Sequence, residues 1–594
     1  MRFVRILLAA GSSLCIALPV LAAKPAPTSR WETVVNKNDP MPNSATGRTY
    51  NSFNQPSVNA DGVVVFRARS RGGPPDGPPT RGIYVRDMRA RDGEIMTIAG
   101  GDTAVPYPSN ILYPPDDEPT SFIEFPSIPR IGIYSGAVAT RGNHQPVWRY
   151  ELPDGSETRM GTTGIYANLN STDPDSDLLT GASKLGAVNP FQFYAAPGTT
   201  STIPFDVFPG TPAITDDRII AFKGNYTDGV AQTGVFFRKL DDMEMGGTAN
   251  YVTLIANSDT AVPNPGNCGS GTTFGSTAPP SAARDRRGVN RAVFVGLDNE
   301  NSPTCGGIYL APLTPVPSLT TLVGLDSDVP GAPAGTTFTQ LGEGLSYDGR
   351  FVGFWGAWGD QTKVLRLYCP TEGNRDRSDF CNRVGNYDDE TGEYQGDQNS
   401  ICDDDSDATD SCYQEQAVPV NQGIFIHDTR TGDTYRVAAA TDDFDDFVYW
   451  VYSGRVPGTG EGGGEEGDGG EDDGEPARWR SSAFVAVSGR GAAAWAAFKA
   501  RTGDISPFDN TYESPVDGIY LVRQPGASRL ETLVDTTMAG QTIDPEAPAA
   551  SVITGVGLER DSFRGQWLVI NASMEEEGGE EDAGMAGIYI TRQP

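Results

Sequence analysis

The sequence predicts an all-β chain folded as a seven-bladed β-propeller of four-stranded antiparallel blades, closed by an N-terminal strand that completes the last blade. Three observations carry this. Its 594 residues include 71 glycines and 45 prolines, and the pieces between these breakers are short and rich in Val, Ile, Phe and Tyr, with no long helical periodicity. The tripeptide Gly-(Ile/Val)-(Tyr/Phe) starts at Gly82, Gly164, Gly234, Gly307, Gly423, Gly518 and Gly587, at spacings of 69 to 116 residues. After the last copy no fourth strand follows, whereas residues 32–42 (ETVVNKNDPMP) read as a fourth strand with no blade before it.

Taken in order, the chain opens with Arg2 and Arg5, an apolar run from Ile6 to Leu21 and the small residues Ala22 and Ala23. This pattern predicts a signal peptide over residues 1–23 and a mature propeller over 24–594. Cys15 follows Ser13 and Leu14, which lack the small residue of a lipoprotein signal, so no lipid anchor is expected. No later segment approaches the roughly 20 apolar residues of a membrane-spanning helix. The product is expected in the periplasm or outside the cell, without membrane insertion.

Each repeat then reads alike. Upstream of the tripeptide lie two short strands around a Gly or Asp turn, as in residues 56–68 (PSVNADGVVVFRA), 212–224 (PAITDDRIIAFKG) and 344–356 (GLSYDGRFVGFWG). Downstream lie a strand and an acidic turn, as in residues 96–106 (MTIAGGDTAVP), 254–263 (LIANSDTAVP) and 322–330 (LVGLDSDVP). Four strands per unit, repeated radially, make a propeller blade. Ring closure by residues 32–36 beside 587–592 would also remove an open sheet edge. Blade two has no clear acidic turn after Tyr166, and blade six has Thr537 near the expected Asp.

These units resemble bacterial exported β-propellers of the TolB-like and WD40-like type, and most of all uncharacterised secreted repeat proteins built on the pattern PSxNxxGxVxFxA, GIY, xxVAxxGDxxPG. The resemblance implies the fold and implies little about activity, since propellers host binding proteins and enzymes alike.

Two insertions interrupt the ring. Residues 370–416 lie between the second and third strands of blade five and, with Cys369 just before them, bring four cysteines together, which predicts a disulfide-tied acidic outgrowth. Residues 458–476, almost purely Gly, Glu and Asp, lack the apolar surface to offset ordering entropy and are expected to be disordered. Without Cys15, six cysteines remain, and three disulfides are expected in an oxidising compartment. Cys268 with Cys305 is the natural pair; Cys369, Cys381, Cys402 and Cys412 leave three pairings open. Within the outgrowth, Asp403, Asp405, Asp407 and Asp410 make a candidate calcium site, although Ala408 and Gln414 break the EF-hand template. A solvated acidic loop is the competing reading.

The formal charge is −33, which disfavours nucleic acid and anionic lipid as partners. The turn aspartates Asp39, Asp102, Asp259 and Asp326 recur in several blades, as a loop-fixing residue would and a catalytic one would not. With only His144, read as part of a polar loop, and His427, after a strand, imidazole-based catalysis has little material. No nucleophile elbow, zinc-protease or phosphate-loop motif occurs, and no catalytic residue is assigned. The sequence therefore points first to a monomeric, non-enzymatic exported propeller that binds an extracellular or envelope partner, protein or polysaccharide. Trp355, Trp358, Tyr449, Trp450 and Tyr452 are candidate contact aromatics, with the blade core as their alternative place. The second expectation is a calcium-assisted polysaccharide hydrolase or lyase with carboxylates at the channel mouth. Convergent acids with an Arg or Tyr at that mouth would favour the enzyme, and a channel lined by small residues would not.

Overall fold

A computed structural model describes residues 30–593 apart from 43–46, 73–78, 91–92, 110–119, 146–147, 152–156, 161–162, 190, 200–201, 241–249, 264–267, 301, 372–374, 385–386, 389–392, 395, 403–411, 441, 455, 457–475, 525–528, 577 and 579–583. The expected leader, the four candidate calcium carboxylates and nearly all of the acidic segment 458–476 lie outside these residues.

The chain is a seven-bladed β-propeller. Each blade is an antiparallel four-stranded sheet in which consecutive strands pair side by side. The innermost strands of all seven blades touch their neighbours in ring order. Those of blade one (Ser57–Val58) and blade seven (Phe563–Arg564) meet to close the circle. Seven apolar clusters fill the seven joints between blades, so the core is a closed belt.

The repeated tripeptide has a steric logic. Its Tyr or Phe is buried in every blade, and in blades one to six it meets an aromatic from the innermost side at a steep angle. Examples are Tyr84 with Tyr50 (centroids 5.2 Å apart, 88°), Tyr166 with Phe122 (4.8 Å, 84°) and Phe425 with Phe338 (5.1 Å, 84°). The glycine two residues earlier lies on the same sheet face, beneath that ring. A Cβ on Gly587 would stand 2.6 Å from the Tyr589 hydroxyl, so only glycine leaves the ring its place. Opposite the Ile-Tyr step the outermost strand always bulges, skipping one residue: Ile98 in blade one, Leu533 in blade six.

Trp31–Asn36 repeats this feature at the closure. It pairs antiparallel with Met585–Arg592 from Trp31 opposite Thr591 to Asn36 opposite Gly587, and it bulges at Val34. The N-terminal strand is thus the seventh blade's outermost strand, in the register of the other six.

The outgrowth leaves blade five between Phe351–Trp358 and Gln422–Asp428 as a ribbon of Thr362–Tyr368 paired with Tyr413–Pro419. The disulfides are Cys268–Cys305, Cys369–Cys381 and Cys402–Cys412. After blade two, 3₁₀ turns at Lys184–Ala187 and Gln192–Tyr194 follow the outermost strand in place of an acidic turn.

Candidate functional site

The channel wall follows from strand register. Ser57, Arg130, Ala213, Ser281, Ser346 and Ala486 pair with the equivalent residue of the second strand in blades one to six. Ser562 occupies this place in blade seven, its carbonyl accepting from Val569 N. The ring is therefore six small residues and one arginine.

Arg130 fills the space the small residues leave, and blade seven supplies its counter-charges. Before Ser562 the chain swings inward through Glu559, Arg560 and Asp561. Arg130 Nη2 donates to Glu559 Oε1 at 2.8 Å and Nη1 to Asp561 Oδ2 at 3.1 Å. Arg560 Nε also donates to Glu559 Oε1, at 2.9 Å, and Arg564 pairs with Asp561. This short plug reaches five other blades. Val58 N donates to the Asp561 carbonyl at 3.1 Å, and Ser562 Oγ to that of Pro56 at 2.7 Å. Across the channel Arg560 Nη1 reaches the Pro279 carbonyl at 3.5 Å. Ser346 Oγ donates to the Arg560 carbonyl at 2.6 Å and accepts from Val487 N at 3.0 Å. The Arg564 guanidinium donates to the carbonyls of Val487 and Tyr347 at 2.9 and 3.2 Å.

The cluster is dry. The Arg130 side chain is 0% exposed, Glu559 8% and Asp561 9%. Burial pushes the Glu559 carboxyl above its ordinary value, against the opposing pull of Arg130. Chemically this is a neutral-capable acid beside an arginine-held carboxylate, the material of a proton donor, in a place with almost no exposed atom.

A second polar cluster joins blades five and six. Asp446 is buried and accepts from Gln422 Nε2 (2.9 Å), Val448 N (2.9 Å) and the Tyr512 hydroxyl (2.8 Å). Next to it Arg501 forks onto Asp517 at 2.7 and 3.0 Å, and Lys499 lies 3.5 Å from Asp517 and 3.7 Å over the Tyr449 ring. Burial lowers Lys499 to about 8, although Asp517 pulls the other way. Each charge in this cluster already has a partner.

The sequence-predicted residues fall as follows. At the acidic turns a side-chain oxygen accepts the N–H of the residue three positions earlier, but the acceptor shifts. In the closing turn it is Asp39 itself, from Asn36 N at 2.8 Å. In the others it is the hydroxyl after the aspartate: Thr103 beyond Asp102, Thr260 beyond Asp259 and Ser327 beyond Asp326, at 2.8 to 2.9 Å. In blade six Asp535 accepts from Thr537 N at 3.0 Å. His144 lies in the strand Val138–Gln145 rather than a polar loop. It is buried, both ring nitrogens lack a hydrogen-bond partner, and burial lowers it to about 4. His427 is held by Thr434 Oγ1 at 3.0 Å, and burial lowers it as well. Trp355 and Trp358 are core residues of the two joints flanking blade five. Tyr449, Trp450 and Tyr452 lie on Val448–Ser453, with Tyr452 buried.

No family model matches the chain, and no curated protein matches it. Among solved structures it is similar to the β-propeller domain of the Trilobed protease from Pyrococcus furiosus, with 7% identity over 89% of this chain and 91% of that one and a TM-score of 0.34. It is also similar to Trypanosoma rangeli sialidase, at 10% identity over 84% of this chain and 60% of that one with a TM-score of 0.33. An ancestral GH74 enzyme matches at 10% identity over 94% and 51%, TM-score 0.34. Likeness at this level concerns the fold alone.

Proposed function

We propose that this protein is an exported, non-enzymatic binding propeller that recognises an extracellular or envelope partner through the surface of its ring and outgrowth. One observation carries the reading: the channel, where propellers commonly place chemistry, is occupied by the protein's own Glu559-Arg560-Asp561 plug, with both carboxylates engaged by arginines and under a tenth exposed. The three disulfides suit an oxidising compartment. Among the described residues no helix is long and apolar enough to cross a membrane. The test is thermal stabilisation of the purified chain by candidate polysaccharides and envelope proteins, run beside assays for reducing ends and released peptides. Stabilisation without turnover is expected; turnover abolished by Glu559→Gln would overturn the reading.

The second reading, a polysaccharide hydrolase or lyase, draws on the same cluster. Two carboxylates converge on one arginine, and the raised Glu559 has the character of a general acid beside Asp561, which Arg130 and Arg564 hold. It requires the plug to move.

A further inference from the structure

The outgrowth of blade five presents an aromatic face to solvent. In its ribbon Tyr368 lies opposite Tyr413, Arg366 opposite Glu415 and Val364 opposite Ala417, and Ile401 bridges Tyr413 on the far side. Strand alternation puts these residues on one face, while Leu365, Cys369, Gln414 and Val418 on the other are buried. Val364 is 41% exposed, Tyr368 48% and Ile401 46%. The Arg366 guanidinium lies 4.0 Å over the Tyr413 ring. The loop 506–511 of blade six docks against this ribbon: Arg366 N donates to the Asn510 carbonyl at 2.9 Å, and Asn510 Nδ2 to Glu415 Oε1 at 3.4 Å. On that loop Phe508 is 93% exposed. Water-facing apolar side chains gathered in this way mark an interaction surface.

The charge pattern selects the partner. A polyanion meets the field of a −33 chain. A polycation is drawn to that field everywhere and has no reason to choose a face where, among the described residues, Arg366 stands against Glu415 across the ribbon and Asp509 on the docked loop. A neutral polysaccharide uses what the face offers: flat rings for the apolar faces of sugars, and guanidinium, carboxylate and amide groups for hydroxyls. Building on the binding reading above, we propose that this face binds an uncharged polysaccharide chain.

The test is native affinity electrophoresis of the full mature chain in gels containing galactomannan, mixed-linkage β-glucan or dextran, with polygalacturonate as the anionic arm. Retardation in at least one neutral gel is expected, persisting at high salt, with none in polygalacturonate. The Tyr368→Ala/Phe508→Ala variant, whose changes lie at exposed positions and leave the melting temperature intact, weakens retardation by about tenfold or more, the loss of roughly 1.4 kcal/mol of binding. Migration unaffected by every neutral gel, or equal retardation of the variant, overturns the assignment. Stabilisation by a protein partner together with unretarded migration removes the polysaccharide assignment and leaves the binding reading standing. Glu559-dependent turnover instead removes the binding reading itself.

Discussion

Replacing Arg130 with alanine removes the one guanidinium shared by two channel carboxylates. Taking one partner from a buried ion pair costs about 3–5 kcal/mol, mostly because the remaining charge stays uncompensated. Asp561 keeps Arg564 and Glu559 keeps Arg560, which places the expected loss near the lower end, about 3 kcal/mol. Protonation softens it. Glu559 already has its carboxyl held above the ordinary value by burial, and losing Arg130 raises it further. A carboxyl raised in the folded state contributes stability below its unfolded value and loses it as pH rises through the folded value. The deficit of Arg130→Ala should therefore be smaller near the ordinary glutamate value and larger above neutrality. Urea unfolding followed by tryptophan fluorescence measures this, provided the slope m matches the wild type. The double variant Arg130→Met/Glu559→Gln, which removes one charge of each sign and leaves Asp561 with Arg564, should recover most of the loss. A deficit under about 1 kcal/mol, the scale of an exposed pair, or a double variant no more stable than Arg130→Ala, would refute the claim that the plug works as a compensated buried cluster.

Two further outcomes follow from the same geometry. His144 is neutral in the fold and lowered to about 4, from an ordinary 6.5; folding holds it unprotonated, so stability present above 6.5 drains away as pH falls towards 4. At about 1.4 kcal/mol per tenfold change the loss is roughly 3 kcal/mol. His144→Phe should flatten this part of the acid profile, and an unchanged profile would sink the assignment. Deleting Trp31–Asn36 leaves Met585–Arg592 as an open sheet edge, and light scattering should report association where the intact chain stays dispersed. A monodisperse truncated protein of unchanged melting temperature would show that the borrowed strand is dispensable.

The ring was legible in the sequence because its signals are local. The glycine of each repeat answers to an aromatic two residues away, and the bulged fourth strand follows within one blade, so seven copies and two complementary ends could be counted without knowing any distant contact. The plug was hidden for the opposite reason. Arg130 and Glu559 are separated by 429 residues, and neither carries a motif. The available trace was comparative: aligned on the tripeptide, blade two offers arginine where the other blades offer serine or alanine. In the acidic turns, which side chain accepts the backbone N–H depends on a one-residue offset that a repeat pattern does not resolve, and Asp39 sits one place later in its turn than Asp102, Asp259 and Asp326. His144 followed a polar-looking Arg-Gly-Asn run, yet pairing with Ser121–Glu124 on one side and Thr163–Asn168 on the other turns it inward.

Borrowing its final strand from the start of the chain also sets a timetable. The partner of Trp31–Asn36 is Met585–Arg592, so the earlier strand must wait, unpaired, until the later one has been made. Six blades can organise during synthesis, but the circle itself is a later event that waits for that strand. A product cut short before residue 585 would carry two unsatisfied ends, and both would mark it as incomplete to any protease that samples loose strands.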